Sequence, residues 1–429
     1  MLTLGCKLNQ SDSETIARRL VAEGVTVTDR PVVGADAFVI NTCSVTHVAD
    51  RKARHLVRLA RRLSPKAEVI LTGCYAETAP PDIAERLGAD AVFGNAAKDA
   101  IPLRLIEHLS ARGDPSAGCP ATAGGGLRTR GFVKIQEGCN ELCAFCIVPY
   151  TRGREVSVPV DEAVRQVQQR EAEGVLEVVL TGTQLGNYGR DLGWDERGPH
   201  LLLQALLERT TIPRLRLSSL QAQDITPGLV RLWDNPRLCP HFHLPLQSGA
   251  DRVLSRMRRR YSADRFRHAV ALIRERVPSV AITTDVIAGF PGETDEDFEA
   301  TLGLCEGIEF AAMHCFPYSK RPHTGAEAMD GHLPPDVRRE RLERLLAVAE
   351  SSSARFREGL LGCTADVLFE ERKEGPFGSD QEGMWTGLTG NYARVYAGAD
   401  DDLQNRLLPV RLEALNHDGV RGVLVREDD

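Results

Sequence analysis

No stretch of these 429 residues is apolar for long enough to cross a bilayer, and the amino terminus, Met1-Leu2-Thr3-Leu4-Gly5-Cys6, lacks a basic segment followed by a long apolar one. Neither a membrane span nor a secretory leader is therefore expected, and the chain reads as cytoplasmic. Surplus positive charge is missing as well: 53 Lys and Arg stand against 60 Asp and Glu, a formal net charge of −7. Residues 361–429 hold seven basic and fourteen acidic side chains and so carry that whole excess. Any nucleic-acid contact must then rest on local patches. Compositional bias is lacking too. At 42% hydrophobic and 26% charged the chain is ordinary for a globular protein, which argues against disorder or a fibre, and its length suits two or three domains. The triple glycine Gly124-Gly125-Gly126 has no strand before it and no Lys-Ser or Lys-Thr after it, so it is not a phosphate loop.

What is present is cysteine, eleven in all. An odd number in a chain read as cytosolic points to metal ligands and buried thiols rather than a disulfide framework. The densest group is Cys139-Asn140-Glu141-Leu142-Cys143-Ala144-Phe145-Cys146, one loop offering three thiols. A four-iron cluster usually takes four thiolates, so three would leave one iron open to a ligand that is not protein. Zinc is the competitor, but a structural zinc site wants four closed ligands and a second cysteine pair, and none follows. Three buried thiols is the remaining bland reading.

The first segment alternates short apolar runs, Met1 to Leu4, Ala37 to Ile40 and Val69 to Leu71, with amphipathic stretches at Ser13 to Glu23 and Arg51 to Leu63, the pattern of parallel βαβ units. Cys6, Cys43 and Cys74 each follow one of these runs, spaced by 37 and 31 positions. Strand carboxyl ends share one edge of an open parallel sheet, so these thiols form a second three-thiolate candidate. Individually each is equally a small buried residue at a strand end.

Residues 113–130 have linker chemistry, with Cys119 a free thiol inside them, and separate a domain 1–112 from a domain 131–360. The second domain repeats strand then helix from Phe132 to Ile135, Val175 to Leu180, Leu215 to Leu217, His241 to Leu244, Ala281 to Ile287 and Phe310 to Phe316, which suggests a partial or complete parallel barrel with ligands at the strand carboxyl ends. Pro334 to Phe356 reads as a long charged helix. Residues 361–429 hold short alternating runs split by Gly, Asp and Asn, as in a small antiparallel barrel.

The CxxxCxxC spacing, with aromatic Phe145 beside the last cysteine, resembles the radical S-adenosylmethionine enzymes. The resemblance implies a cluster on Cys139, Cys143 and Cys146 that binds S-adenosylmethionine, with cofactor contacts on later strands. Gly182 and Gln184 in Thr181-Gly182-Thr183-Gln184 stand where that family has a glycine-glycine-glutamate strand, without the glutamate. Here Gly182 is expected to let backbone approach the ligand. Ser219 ends the third run, His243 and Gln247 lie on the fourth, and Asp285 and Gly289 on the fifth, where Gly289 is expected to pack the adenine. Any one of these segments is also an ordinary strand-end turn.

Cysteines after three strands, the radical loop and a terminal β-domain together resemble the methylthiotransferases over essentially the whole chain. This implies an α/β protein with a flavodoxin-like open parallel sheet, a central radical S-adenosylmethionine partial (β/α) barrel and a TRAM barrel that binds RNA. It also implies two [4Fe-4S] clusters, the first on Cys6, Cys43 and Cys74. One S-adenosylmethionine would methylate a sulfur and a second would supply the radical. Gly5-Cys6-Lys7-Leu8-Asn9-Gln10 and Pro317-Tyr318-Ser319-Lys320-Arg321-Pro322 look like the branch acting on threonylcarbamoyl-adenosine at position 37 of tRNA. Gln-Met after the first cysteine marks the isopentenyl-adenosine branch and Pro-Lys the branch acting on a ribosomal-protein aspartate.

The implied partners are a tRNA anticodon loop, an electron donor of flavodoxin or ferredoxin type, a sulfur source and no membrane. In the acidic terminal domain the RNA contacts are expected to be few and stacking in kind, through Tyr392, Arg394 and Trp385. Outside it the basic patch is Arg252, Arg256, Arg258, Arg259, Arg260, Arg265 and Arg267, an RNA contact or a solvated helix face. Two rivals stand beside this reading. One is a non-catalytic iron-sulfur RNA-binding regulator. The other is a cobalamin enzyme, which would need a DxHxxG loop that the first domain lacks.

Overall fold

The computed structural model describes residues 1–111, 129–373 and 383–425. The expected linker and Cys119 fall largely or wholly outside these. Strands β1 (Leu2–Thr3), β2 (Ala37–Thr42), β3 (Glu68–Gly73) and β4 (Ala91–Phe93) form one parallel sheet in the order β1-β2-β3-β4. The sheet is open and parallel, as anticipated, but its order is sequential and has no flavodoxin-type reversal. Helix α1 (Lys7–Ala22) begins directly after Cys6, six residues before the amphipathic pattern. Its first turns bury Asn9, Ser11, Asp12 and Ser13 beside the single apolar Leu8, so no hydrophobic period announces them. Helix α2 (His47–Leu63) is capped by Thr46, whose side chain accepts from Ala49 N, and carries Asp50 in its first turn and Arg61 and Arg62 in its last, each favourable for the helix dipole.

The central domain uses β5 (Arg130–Lys134), β8 (Glu177–Thr181), β9 (Arg214–Leu217), β10 (His241–His243), β11 (Ala281–Ala288) and β12 (Ala312–Pro317). They form two parallel three-stranded sheets, β5-β8-β9 and β10-β11-β12, joined through a Leu215 to Leu238 bridge into a six-strand arc. A short antiparallel ribbon of β6 (Gln136–Glu137) and β7 (Val156–Ser157) frames the cysteine loop. Val178, Leu180, Leu215, Ile282 and Val286 point outward into a core shared with the covering helices. Alternation therefore turns Glu177, Arg214, Arg216, His241, His243, Thr283 and Asp285 inward, which makes the lumen polar. The helix Asp295–Ile308 starts at a capping box between Thr294 and Asp297, and the long helix Pro335–Glu358 packs on β12.

Strands β13 (Thr364–Arg372), β14 (Trp385–Thr389), β15 (Arg394–Ala397), β16 (Leu407–Asn416) and β17 (Gly419–Leu424) close a barrel in the order β13-β14-β15-β17-β16. It is antiparallel except for the β15–β17 pair. The barrel docks on the amino ends of the central strands. Arg214 Nη1 donates to Leu388 O at 3.0 Å, Arg216 Nη1 to Gly390 O at 2.9 Å and Asn391 Nδ2 to Ser279 O at 3.0 Å. Arg216 also holds Glu177, at 2.8 Å, with both side chains fully buried. Breaking one partner of such a pair leaves an uncompensated charge, so Glu177→Gln should destabilise the protein by about 3–5 kcal/mol. Urea denaturation followed by tryptophan fluorescence checks this.

Candidate active site

Cys6 precedes α1, Cys43 follows β2, and Cys74 opens the short helix Cys74–Thr78 after β3, so the sheet edge gathers all three. A Cβ on Gly5 would lie 3.1 Å from Cys43 Sγ, and the Cys43 thiol senses both Cys74 and Cys6. Burial, reinforced by those thiols, pushes Cys43 up to about 11. Gly73, at φ +93°, is obligatory before Cys74, because a Cβ there would lie 2.3 Å from Thr42 O.

The second loop is held by main-chain bonds from Cys139 N to Gly153 O (3.0 Å) and Ala144 N to Met257 O (2.9 Å). Gly138, at φ +73°, plays the same part before Cys139: a Cβ would lie 1.9 Å from Arg154 O. Two donors reach the sulfurs, Arg259 Nη1 to Cys143 Sγ at 3.3 Å and Glu141 N to Cys139 Sγ at 3.4 Å. Burial pushes Cys139 to about 11 and Cys146 to about 12. Without metal these are protonated thiols, and binding a cluster means displacing the protons. Among the described residues no three His, Cys, Asp or Glu converge closely enough for a single ion. A cubane needs a wider set, and three soft sulfur donors with hydrogen bonds to them fit it.

Between the two sets lies a buried polar junction. Asp12 accepts from Lys98 at 2.6 Å, Lys134 at 2.8 Å and Arg152 at 3.2 Å, while Arg152 also bonds Asn9 and Glu137. Arg152 and Lys98 lie close enough to Cys74 to interact with it electrostatically, and Arg152 also with Cys6. These cations suit an anionic thiolate cluster. A second bridge runs from Arg321 to Asp50 (2.8 Å) and Ser44 Oγ (2.7 Å), tying the segment after β12 to the loop after Cys43.

The residues anticipated as cofactor contacts are distributed unevenly. Phe145 packs beside Ala250, Val253 and Phe290. Gln184 is buried, its amide 3.5 Å from Glu141 Oε1. Ser219 is half-buried past β9, next to Ser218, whose buried Oγ has no partner. His243 meets Thr283 Oγ1 at 3.0 Å and Asp285 at 3.2 Å, and Gln247, at φ +64°, bonds through its backbone to Asp285 and Ile287. Two glycines have other duties than those expected. The side-chain space at Gly182 is filled by Leu185 and by Gln136 O, and at Gly289 by Arg338 of the long helix, so both serve packing.

The expected RNA contacts need correction. Tyr392 is stacked on His241 with centroids 4.9 Å apart, and its hydroxyl accepts from Arg130 at 3.1 Å, so the ring is held in the domain interface and is not offered to a base. Trp385 is buried in the terminal barrel's core. Arg394 stays half-exposed, paired to Asp418 at 3.4 Å. The arginine run is neither one helix face nor free: Arg252 holds Asp297, Arg265 donates to Ile225 O, Arg267 holds Asp264 and Arg259 reaches Cys143. Sequence reasoning missed Glu141, which is held by Gln221 at 3.1 Å and Arg260 at 3.6 Å, as well as Asn9, Asp12, Arg152 and Arg321. Their signal was buried polarity, which has no period.

Residues 133–305 match the radical SAM superfamily model, and residues 1–94 match that of uncharacterized protein family UPF0004. The fold is similar to that of the radical S-adenosylmethionine methyltransferase TsrM from Kitasatospora setae (TM-score 0.51, 16% identity, 75% of this chain and 69% of that one). The chain is thus a radical S-adenosylmethionine protein. It is 34% identical to the threonylcarbamoyladenosine tRNA methylthiotransferase MtaB of Bacillus subtilis over 99% of this chain and 95% of that one. It is 37% identical to the tRNA-2-methylthio-N(6)-dimethylallyladenosine synthase of Mycolicibacterium paratuberculosis over 85% and 74%. Within the radical class the chain belongs to the tRNA methylthiotransferases, enzymes that use S-adenosylmethionine and two iron-sulfur clusters. Among its described residues no helix is long and apolar enough to cross a membrane.

Two outcomes follow from this geometry. Iron analysis of the anaerobically reconstituted protein should give about eight irons per chain, and about four after Cys43→Ala or Cys143→Ala. The Asp12 carboxyl, whose burial is outweighed by Lys98, Lys134 and Arg152, is held down at about 2. Its contribution is therefore present above the ordinary carboxylate pKa and is lost as pH falls through the folded value. In urea titrations the apoprotein should exceed Asp12→Asn by about 2 kcal/mol above about pH 5, and the gap should close toward about pH 2.

Proposed function

We propose that this enzyme installs a methylthio group at C2 of threonylcarbamoyl-adenosine at position 37, in the anticodon loop of tRNA. The observation that carries the reading is the end-to-end similarity to the Bacillus subtilis enzyme of that name, which spans all three domains. Cys139, Cys143 and Cys146 would hold the radical cluster, and Cys6, Cys43 and Cys74 the other. When bound, these groups supply reductive cleavage of S-adenosylmethionine and a sulfur for transfer.

The chain's own residues supply the setting. Arg259 donates to Cys143 and anchors the loop to Tyr261, its Nε lying 3.2 Å from that hydroxyl. Arg152, Asp12 and Asn9 fix the first triad against the second. The inward row His243, Thr283 and Asp285 offers polar groups to cofactor or base, and the flanking first domain and terminal barrel would limit solvent at a reactive radical. An electron donor of flavodoxin or ferredoxin type and a sulfur source complete the system.

Mass spectrometry of tRNA nucleosides from a strain lacking the gene tests the reading. Methylthiolated threonylcarbamoyl-adenosine should vanish and return on complementation. Loss of the methylthiolated isopentenyl nucleoside instead would assign the other branch.

A further inference from the structure

We propose that Lys7 reads the free carboxylate of the threonylcarbamoyl group, with His241 beside it, and so decides which modified adenosine is accepted. This rests on the substrate reading above and gives it a physical basis. Lys7 is the first residue of α1, immediately after Cys6, and its side chain reaches the inner end of the central barrel, where Nζ lies 5.4 Å from the Tyr392 ring centre. Three cations meet there, Lys7, Arg130 and Arg216, against two carboxylates. Glu177 is taken by Arg216 at 2.8 Å and Glu370 by Arg130 at 2.7 Å. Lys7 is left with the face of Tyr392 and with no hydrogen bond or ion pair among the described residues.

A half-buried ammonium without an anion is costly, and the cost is relieved when a ligand brings one. The neighbouring wall carries a second unmet demand: His241 is 3% exposed, its Nε2 lies 3.2 Å from Thr283 Oγ1, and its Nδ1 is buried without a partner. The inward-facing acid of β11, Asp285, is engaged by His243 at 3.2 Å. On the inner face of β12, His314 and Phe316 stay exposed, so the lumen is open beside this point.

The chemistry of the base sets the direction. C2 and the N6 substituent lie on one edge of adenine, separated by N1 and C6. Holding C2 toward the cluster assigned to Cys6 therefore sends the N6 group toward neighbouring residues, of which Lys7 is the adjoining one. A threonylcarbamoyl group ends in a carboxylate, whereas an isopentenyl group is neutral and apolar and would leave the ammonium unanswered. An RNA phosphate could also take a lysine, but phosphates remain on the backbone while the base enters the lumen.

The test compares anticodon stem-loops carrying threonylcarbamoyl-adenosine, its methyl ester or isopentenyl-adenosine, against wild-type, Lys7→Met and Lys7→Arg protein. Affinity is read on apoprotein by fluorescence anisotropy, and methylthiolation on reconstituted protein. Lys7→Met should bind the carboxylate RNA on the order of 100-fold more weakly than wild type and bind the ester RNA equally. Lys7→Arg should recover part of the loss. Equal weakening on acid and ester would assign Lys7 to a phosphate, and no weakening in a Lys7→Met protein of normal thermal stability would remove it from recognition. Either result overturns the inference alone, whereas wild-type turnover of only the isopentenyl RNA would overturn the substrate reading itself.

Discussion

The structure depends on one carboxylate shared by three cations. Asp12, in the first turns of α1, is bound by Lys98 from its own domain and by Lys134 and Arg152 from the central one. Arg152 stands six residues after Cys146 and Asp12 six after Cys6, so the network fixes the separation of the two cysteine sets at close range. A reaction in which one cluster would supply the radical and the other would hold the sulfur for the base needs the two held within small tolerances. A buried, multiply bonded carboxylate gives that, where apolar packing alone would allow slippage.

The terminal barrel takes part in the same construction from below. Its β14–β15 turn carries Tyr392 at φ +70° into the inner end of the central barrel, between His241 and the cations Lys7, Arg130 and Arg216. An aromatic ring among guanidinium and ammonium groups is stabilised by its quadrupole. The terminal domain thereby closes one end of the lumen, and Tyr392 and Asn391 are among its contacts with the central domain.

Much of this was legible in the sequence because it rested on periodicity or spacing. The βαβ alternation of the first domain, the six strands of the arc and the short strands of the terminal barrel follow from alternating apolar and polar residues, and the six cysteines stand out by their placement after strands or in one loop. Illegible parts came from tertiary context. Gly182 and Gly289 looked like ligand glycines, yet Leu185 and Arg338 occupy their side-chain space. Tyr392 and Trp385 looked like stacking residues because an aromatic in a β-domain has the same letter whether it faces RNA, a core or another domain. Asn9, Asp12 and Arg152 carried no signal because polar residues at an interface imitate a solvated helix face until the partner is seen.

Charge is handled differently at the two ends of the lumen. Near the cysteines Arg152 and Lys98 have Asp12, Arg321 has Asp50, and Arg259 has the Cys143 sulfur and the Tyr261 hydroxyl. At the inner end Arg216 and Arg130 are matched to carboxylates, while Lys7 has no hydrogen bond or ion pair among the described residues. In a fold that otherwise matches its buried charges so closely, an unmatched ammonium marks where something external is meant to bind. Lys7 follows Cys6 directly in the chain while its ammonium lies toward the inner end of the lumen, so a base held between them presents C2 to one and its N6 group to the other. Recognition of the modification and delivery of sulfur then use adjacent residues of one helix start, so a base lacking the right anion is denied both the contact and the alignment.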